Sequence, residues 1–485
     1  MNSAFTEQNR NSLPQDDVFF RNATRAFLQD TLPDQEEMAF IFRSLLERKV
    51  SSLPDYLVFL KKTLFFLFLT KNGTVFLNKE DRRKILLKIC KAGFFRRFPL
   101  SQAMQDIIFF LLQRKVPSAP PKLLSKGCAL IEPLSNVNDG PLPDLQNGAL
   151  LSLFWFLLGK MSGKEEWVLA AFRLASWHLK VLDQNLLPFA ALWKEEKNYQ
   201  ENELFTHLFL MFETMGSCFQ HEQMAAAAEI FRKKAFPEDP SLSSFYAILS
   251  HELGRWKMES FPGAEKESQE KVWLDPDLLL ARYSGNLLQS AFTLLGNHST
   301  LGAIHVEDVQ IRSFGPQWFP IGDASRFGIV RFPSSKSLLG DLEWKKNENG
   351  YSLRGCSALT RANGEEFSTW LEVKNSVDRE KFSLDLNFHG DFKERLAFVF
   401  FVLAKSAIVE GQMELKSQTF RRYEGPSRKV SFKCKTALLE VRSQNLSCMH
   451  LIPLGGKEAY WQSNFLLAYE ISPQSRSASF LIERG

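Results

Sequence analysis

The sequence predicts an α+β, multidomain protein in which an N-terminal α/α toroid of helical hairpins is followed by a C-terminal antiparallel β-sandwich or supersandwich. Three observations predict it. From about Asp17 to Gly296 apolar residues recur at helical spacing between short breakers, with almost no alternation of period two. After His298 the alternation sets in: Phe382, Leu384, Leu386 and Phe388 are interleaved with Ser383, Asp385, Asn387 and His389. The 485 residues, 45% hydrophobic and 24% charged, are enough for two or three folding units with buried cores.

Taken in order, residues 1–16 read as a flexible N-terminus, 17–297 as the helical domain and 298–485 as the sandwich. Helices are expected over Asp34–Lys49, Leu53–Thr70, Lys79–Phe95, Ser101–Lys115, Ala149–Met161, Glu165–Leu182, Glu201–Met215, Glu222–Lys234, Ser241–Leu253 and Asp275–Leu295. No tetratricopeptide, ankyrin or HEAT consensus recurs among them, which favours a ring of diverged hairpins over a solenoid. The apolar windows Thr63–Thr70 and Ala149–Gly159 are too short to span a bilayer and read as buried helices. Pro117, Pro120, Pro121, Pro133, Pro141 and Pro143 mark a long loop, and Pro262-Gly263 within Met258–Lys271 a lid-like break. Strands are expected at Val306–Ser313, Gly328–Phe332, Leu342–Lys345, Tyr351–Leu359, Ser368–Lys374, Phe382–Phe388, Leu396–Leu403, Val430–Cys434, Ala437–Arg442, Phe465–Ile471 and Ala478–Glu483. Asn349-Gly350 and Asn363-Gly364 supply hairpin turns.

Composition excludes several function classes. The net charge of +5 comes from 60 basic and 55 acidic residues, which gives no global footprint for nucleic acid. The 6 cysteines show no CxxC pair, so neither a disulfide framework nor a zinc ribbon is expected, and thiols in a reducing, cytoplasmic compartment fit. Met1–Asp17 lacks the apolar core of a cleaved secretory leader, and leaderless export is the alternative. With 44 Phe against 10 Trp and 8 Tyr, most aromatic residues are expected in cores. There is no G-x-S-x-G or G-x-G-x-x-G, and Gly159–Lys164 falls short of a phosphate loop. His251-Glu252 opens like a metalloprotease helix, but Arg255 stands where a second imidazole is needed. No cofactor and no metal are therefore expected.

Where helix gives way to strand stands Gly296–Phe332, GNHSTLGAIHVEDVQIRSFGPQWFPIGDASRFGIVRF. With the domain order, this stretch resembles the junction of polysaccharide lyases and heparinase II/III-like proteins, in which a helical toroid precedes a β-sandwich. The resemblance implies β-elimination on an acidic polysaccharide at a cleft between the two domains. There a cation or amide neutralises the uronate, a base takes the adjacent proton and an acid protonates the leaving oxygen. By position, Asn297 and His298 would neutralise or abstract, His305 would assist, and Tyr283 on the preceding helix would be the acid. Trp256, Trp273 and Trp318 would offer platforms to sugar rings, with Arg255 and Arg282 as substrate-binding cations.

The residues also admit plainer roles, Asn297-His298 as a helix end and Tyr283 as a core polar group. The reading from another class is a non-catalytic interaction scaffold, such as a leaderless exported bacterial effector. It would use the basic run Lys79, Arg82, Arg83, Lys84, Lys88, Lys91, Arg96 and Arg97, whose ordinary role is a solvated helix face over Ile85, Leu86, Ile89 and Cys90.

Overall fold

The structure, a computed structural model, describes residues 14–29, 35–71, 77–92, 99–113, 145–183, 185–189, 201–235, 239–256, 270–275, 280–297, 300–318, 343–360, 366–390, 396–410, 412–419, 421–444, 446–454, 462–471, 474 and 476–485. The chain divides into two compact units. One comprises Met1–Lys122, Gln146–Ser176 and Gln200–Lys266; the other comprises Leu123–Leu145, Trp177–Tyr199 and Glu267–Gly485.

The helices are α1 (Pro14–Leu28), α2 (Gln35–Glu47), α3 (Leu53–Lys71), α4 (Lys79–Lys91), α5 (Pro99–Gln113), α6 (Leu145–Ser162), α7 (Glu165–Lys180), α8 (Glu201–Phe219), α9 (Glu222–Arg232) and α10 (Pro240–Gly254). All but α1 were expected individually. The first helix packs on the last, where the Phe27 ring meets His251 edge-on at 4.9 Å, so the helical unit closes on itself. Between them α2 packs on α3 and α4, α3 on α5 and α10, and α8 on α9 and α10. Leu64–Leu69 of α3 and Ala149–Leu158 of α6 are buried all round, as apolar helices without a polar face must be. One polar network interrupts this core. Lys61 Nζ lies 2.6 Å from Glu203 Oε1 and 3.0 Å from Tyr246 Oη. Tyr246 donates to Glu203 at 2.6 Å, and His207 approaches Tyr246 Oη at 2.6 Å and the Gln146 carbonyl at 2.9 Å.

The strands are β1 (Val272–Asp275), β2 (Leu280–Ser284), β3 (Gln289–Asn297), β4 (Thr300–Val306), β5 (Val309–Trp318), β6 (Glu343–Asn347), β7 (Gly350–Thr360), β8 (Glu366–Asp378), β9 (Lys381–His389), β10 (Leu396–Leu403), β11 (Ser406–Val409), β12 (Met413–Lys416), β13 (Tyr423–Gly425), β14 (Lys429–Lys433), β15 (Leu438–Gln444), β16 (Leu446–Pro453), β17 (Phe465–Ile471) and β18 (Ser477–Arg484). They form two nine-stranded sheets, ordered β1-β2-β3-β4-β5-β10-β17-β16-β13 and β12-β11-β14-β15-β18-β9-β8-β7-β6. Phe rings from both inner faces mesh, Phe314 with Phe382 at 5.6 Å and Phe398 with Phe480 at 4.9 Å, which makes the pair a sandwich. The expected row Phe382, Leu384, Leu386 and Phe388 is buried.

A carboxylate also ties the sheets. Glu380, at the β8–β9 turn, accepts hydrogen bonds from the amides of Asn286, Leu287 and Leu288 at 2.9, 3.2 and 2.6 Å, while a Cβ on Gly285 would overlap both of its oxygens. Gly285→Ala is therefore expected to displace Glu380 and destabilise this unit by roughly 1–3 kcal/mol. A urea denaturation curve checks it, and an unchanged midpoint would mean the tie contributes nothing.

Several expectations are corrected. The helix expected over Asp275–Leu295 is a run of strands, and the change from helix to strand comes at Val272 rather than after 297. Leu280–Tyr283 are buried on both faces, so the alternation that marks a strand is absent there and the apolar run mimics a buried helix. The strand expected over Val306–Ser313 straddles the turn between β4 and β5, at which Glu307 takes φ 51°. Residues 14–16 belong to α1. Residues 1–13, most of Pro117–Asn147 and Met258–Lys271, Gly328–Phe332 and the turn Asn363-Gly364 lie outside the described residues.

Candidate functional site

Antiparallel register decides which of the expected residues can meet. Directly paired residues point to the same side of a sheet, and successive residues to opposite sides. Arg282 pairs with Trp273 and Ala291, and Gln289 pairs with Ser284 and His305. Trp273, Arg282 and His305 therefore share one face. Tyr283 pairs with Ser290, and Ser290 with Ile304, which places Tyr283 on the other face.

On the shared face the segment after α7 binds both the Arg282 and the His305 side chains. Asp183 Oδ2 lies 3.0 Å from His305 Nδ1, and Arg282 Nη1 donates to the Leu182 carbonyl at 3.3 Å and, through Nη2, to the Glu270 carbonyl. The proton of His305 thus sits on Nδ1, facing the carboxylate, and Phe189 covers the ring at 4.6 Å. His305 Nε2 is buried with no hydrogen-bond partner among the described residues. Burial lowers Arg282 to about 10, against the pull of Glu270 and Asp183. Asp183, Arg282 and His305 are each at most 2% exposed. Tyr283 is fully buried, and burial first, then Glu380, pushes its hydroxyl up to about 12. An oriented imidazole exists here, but the tyrosine meant to complete a proton relay with it points away.

The other expected residues are dispersed. Arg255 pairs with buried Glu252 at 3.0 Å, and Trp256 accepts from Cys218 Sγ at its carbonyl, both at the end of α10. Asn297 ends β3 and Trp318 ends β5, while His298 lies outside the described residues. In α4, Ile85 and Ile89 are buried as expected, but Cys90 is exposed. Lys88 donates to the carbonyls of Leu45, Leu46 and Arg48, so part of the basic run serves α2. No helix among the described residues is long and apolar enough to cross a membrane.

An accessible site lies elsewhere in the β unit. The consecutive strands β6 to β9 expose one face, and a cavity of about 490 Å³ on it is lined by Glu343, Lys345, Ser352, Arg354, Glu372, Lys374, Asp385 and Asn387. Register builds it as rungs. Glu343, Arg354, Lys374 and Asp385 form one, Cys356, Glu372 and Asn387 the next, and Trp370 and His389 the third. Arg354 holds Glu372 through Nε at 2.8 Å and Nη2 at 2.6 Å, and Asn387 Nδ2 and His389 Nε2 approach its other oxygen at 3.4 and 3.5 Å. The Arg354 hydrogen bond keeps the Glu372 carboxyl below its usual range against its partial burial, and Asn387 and His389 add to this. His389 stacks on Trp370 at 3.8 Å and 11°. Around this fixed centre Glu343, Lys345, Lys374 and Asp385 are exposed and make no ion pair among the described residues. The outward alternation of Asp385, Asn387 and His389 was read from the sequence only as the polar face of a strand.

No family model and no curated protein matches this sequence. Several solved structures are similar in fold. Chondroitin AC lyase of Streptomyces coelicolor A3, solved with chondroitin sulphate, aligns over 97% of this chain and 75% of its own at 9% identity, with a TM-score of 0.47. The 4-alpha-glucanotransferase of Thermococcus litoralis aligns over 58% of this chain at 9% identity and a TM-score of 0.32, and the match spans about half (51%) of that enzyme. A putative aldose 1-epimerase of Escherichia coli K12 aligns over 42% of this chain and 98% of its own at 7% identity and a TM-score of 0.26.

Proposed function

We propose that the protein binds a saccharide bearing a carboxylate beside free hydroxyls, an acidic oligosaccharide, on the outward face of β6 to β9. The observation that carries this is the cavity's composition: two ammonium groups, Lys345 and Lys374, and two carboxylates, Glu343 and Asp385, stand without ion-pair partners among the described residues around the clasped Arg354–Glu372 pair. Free lysines suit a sugar carboxylate, and free carboxylates accept from paired hydroxyls. Trp370 and His389 set flat rings at one end of the same rows, where a pyranose face can rest. The clasp fixes the floor, so little side-chain freedom is lost on binding.

Binding without elimination is the reading, because Tyr283 and His305 occupy opposite faces of their sheet. Calorimetric titration of the full chain with uronate oligosaccharides and neutral oligosaccharides of equal length is the test. Saturable binding that prefers the uronates is expected, and no heat from either would end the proposal. Accumulation of unsaturated product, absent from His305→Ala, would replace it with the lyase reading.

A further inference from the structure

At the other end of the sandwich, the edge strand β13 pairs with β16 so that Glu424 stands opposite His450. Cys448 lies two residues before His450 on β16. A carboxylate oxygen of Glu424, the Cys448 sulfur and a ring nitrogen of His450 all lie within 4.8 Å of one another. We infer that these three residues form a binding site for a zinc-class divalent transition metal, with one coordination position left to solvent. The donor set argues for that class: thiolate, imidazole and carboxylate together suit zinc, whereas magnesium and calcium take oxygen alone.

The spacing fits. Tetrahedral bonds of roughly 2.0–2.3 Å put ligand atoms about 3.3–3.8 Å apart, and His450 Nδ1 already lies 3.6 Å from Glu424 Oε2. Glu424 is 71% exposed, free to swing the remaining distance, while His450 is 5% exposed and held. What holds it is Glu470, whose Oε1 lies 2.7 Å from His450 Nε2. A carboxylate at Nε2 keeps the proton there and leaves Nδ1 as the lone pair facing Glu424 and Cys448, the arrangement that orients histidines at metal centres. The sequence did not disclose the site because Glu424 and His450 are brought together by strand pairing rather than by a short motif.

The test uses the full chain stripped with chelator and titrated with Co²⁺, then with Zn²⁺. One equivalent of Co²⁺ should produce a thiolate-to-cobalt charge-transfer band that Zn²⁺ abolishes, and Zn²⁺ should raise the thermal midpoint. Cys448→Ser, at a half-buried position that tolerates the change, should remove both responses, as should His450→Ala. Cys356→Ser and Cys434→Ser should keep them, and Glu470→Gln should weaken affinity about 10- to 100-fold. No band in the parent chain, or a band that survives Cys448→Ser, would overturn the assignment.

Discussion

Lys61→Ala is expected to destabilise the helical unit by about 3–5 kcal/mol, because it strands the Glu203 carboxylate in a core where, among the described residues, no other lysine or arginine pairs with it. Lys61 and Glu203 are each only 12% exposed, so water cannot replace the lost partner. Burial alone would raise the Glu203 carboxyl, but Lys61 and His207 beside it and the hydrogen bonds from Lys61 and Tyr246 outweigh that and hold it near 2. Burial, aided by Lys61, lowers His207 to about 4 despite Glu203. The 3.7 Å approach of His207 to Glu203 is therefore not an ion pair at neutral pH.

Both shifts act in the same direction on stability. The depressed Glu203 contributes stability above its ordinary 4.5, lost as pH falls towards 2; neutral His207 contributes stability lost as pH falls from 6.5 towards 4. Urea midpoints measured from pH 7 downward should fall through this window, and Glu203→Gln should flatten the lower part of the curve. A pH-independent parent, or a Lys61→Ala chain of parental stability, would show that the network is not a stability element.

Lys374→Glu is expected to abolish oligosaccharide binding, and Lys374→Ala to weaken it by about tenfold or more, the worth of one charge-assisted hydrogen bond. Lys374 is exposed at the cavity's centre, so neither change should alter the folding midpoint by more than about 0.5 kcal/mol. Trp370→Ala removes the ring under His389 and is expected to cost a comparable factor. The discriminating control is Lys405, on the β10–β11 connection away from the cavity, whose replacement by Ala should leave affinity unchanged. Equal losses at Lys374 and Lys405 would indicate attraction by net charge alone.

The helical half was legible because its helices are long and periodic, and α2 to α10 fall within a few residues of expectation. The β half was legible where one face meets water, as in β7, β8 and β9, and illegible where both are covered. In β2 and β3 the run from Leu280 to Leu294 presents apolar residues at helical as well as strand spacing, and only Ser284-Gly285-Asn286 betrayed a turn. The candidate site followed the same division. Arg282 and His305 were singled out and do share a face, but their anchors, the Leu182 carbonyl for Arg282 and Asp183 for His305, are distant in sequence, Asp183 lying 122 residues from His305, and no spacing rule connects them. Tyr283 failed because a shift from helix to strand turns neighbours to opposite sides. The β6–β9 face was written in plain alternation, yet which outward polar groups stay unpaired depends on side-chain geometry that alternation does not carry.

Hydrogen exchange of the full chain, with and without saturating uronate oligosaccharide, tests the central claim most directly. Added protection is predicted on β6 to β9, across Glu343–Arg354 and Trp370–His389, with Lys374→Glu eliminating it. Protection centred instead on β2 to β4 around Arg282 and His305, or none anywhere, would contradict it.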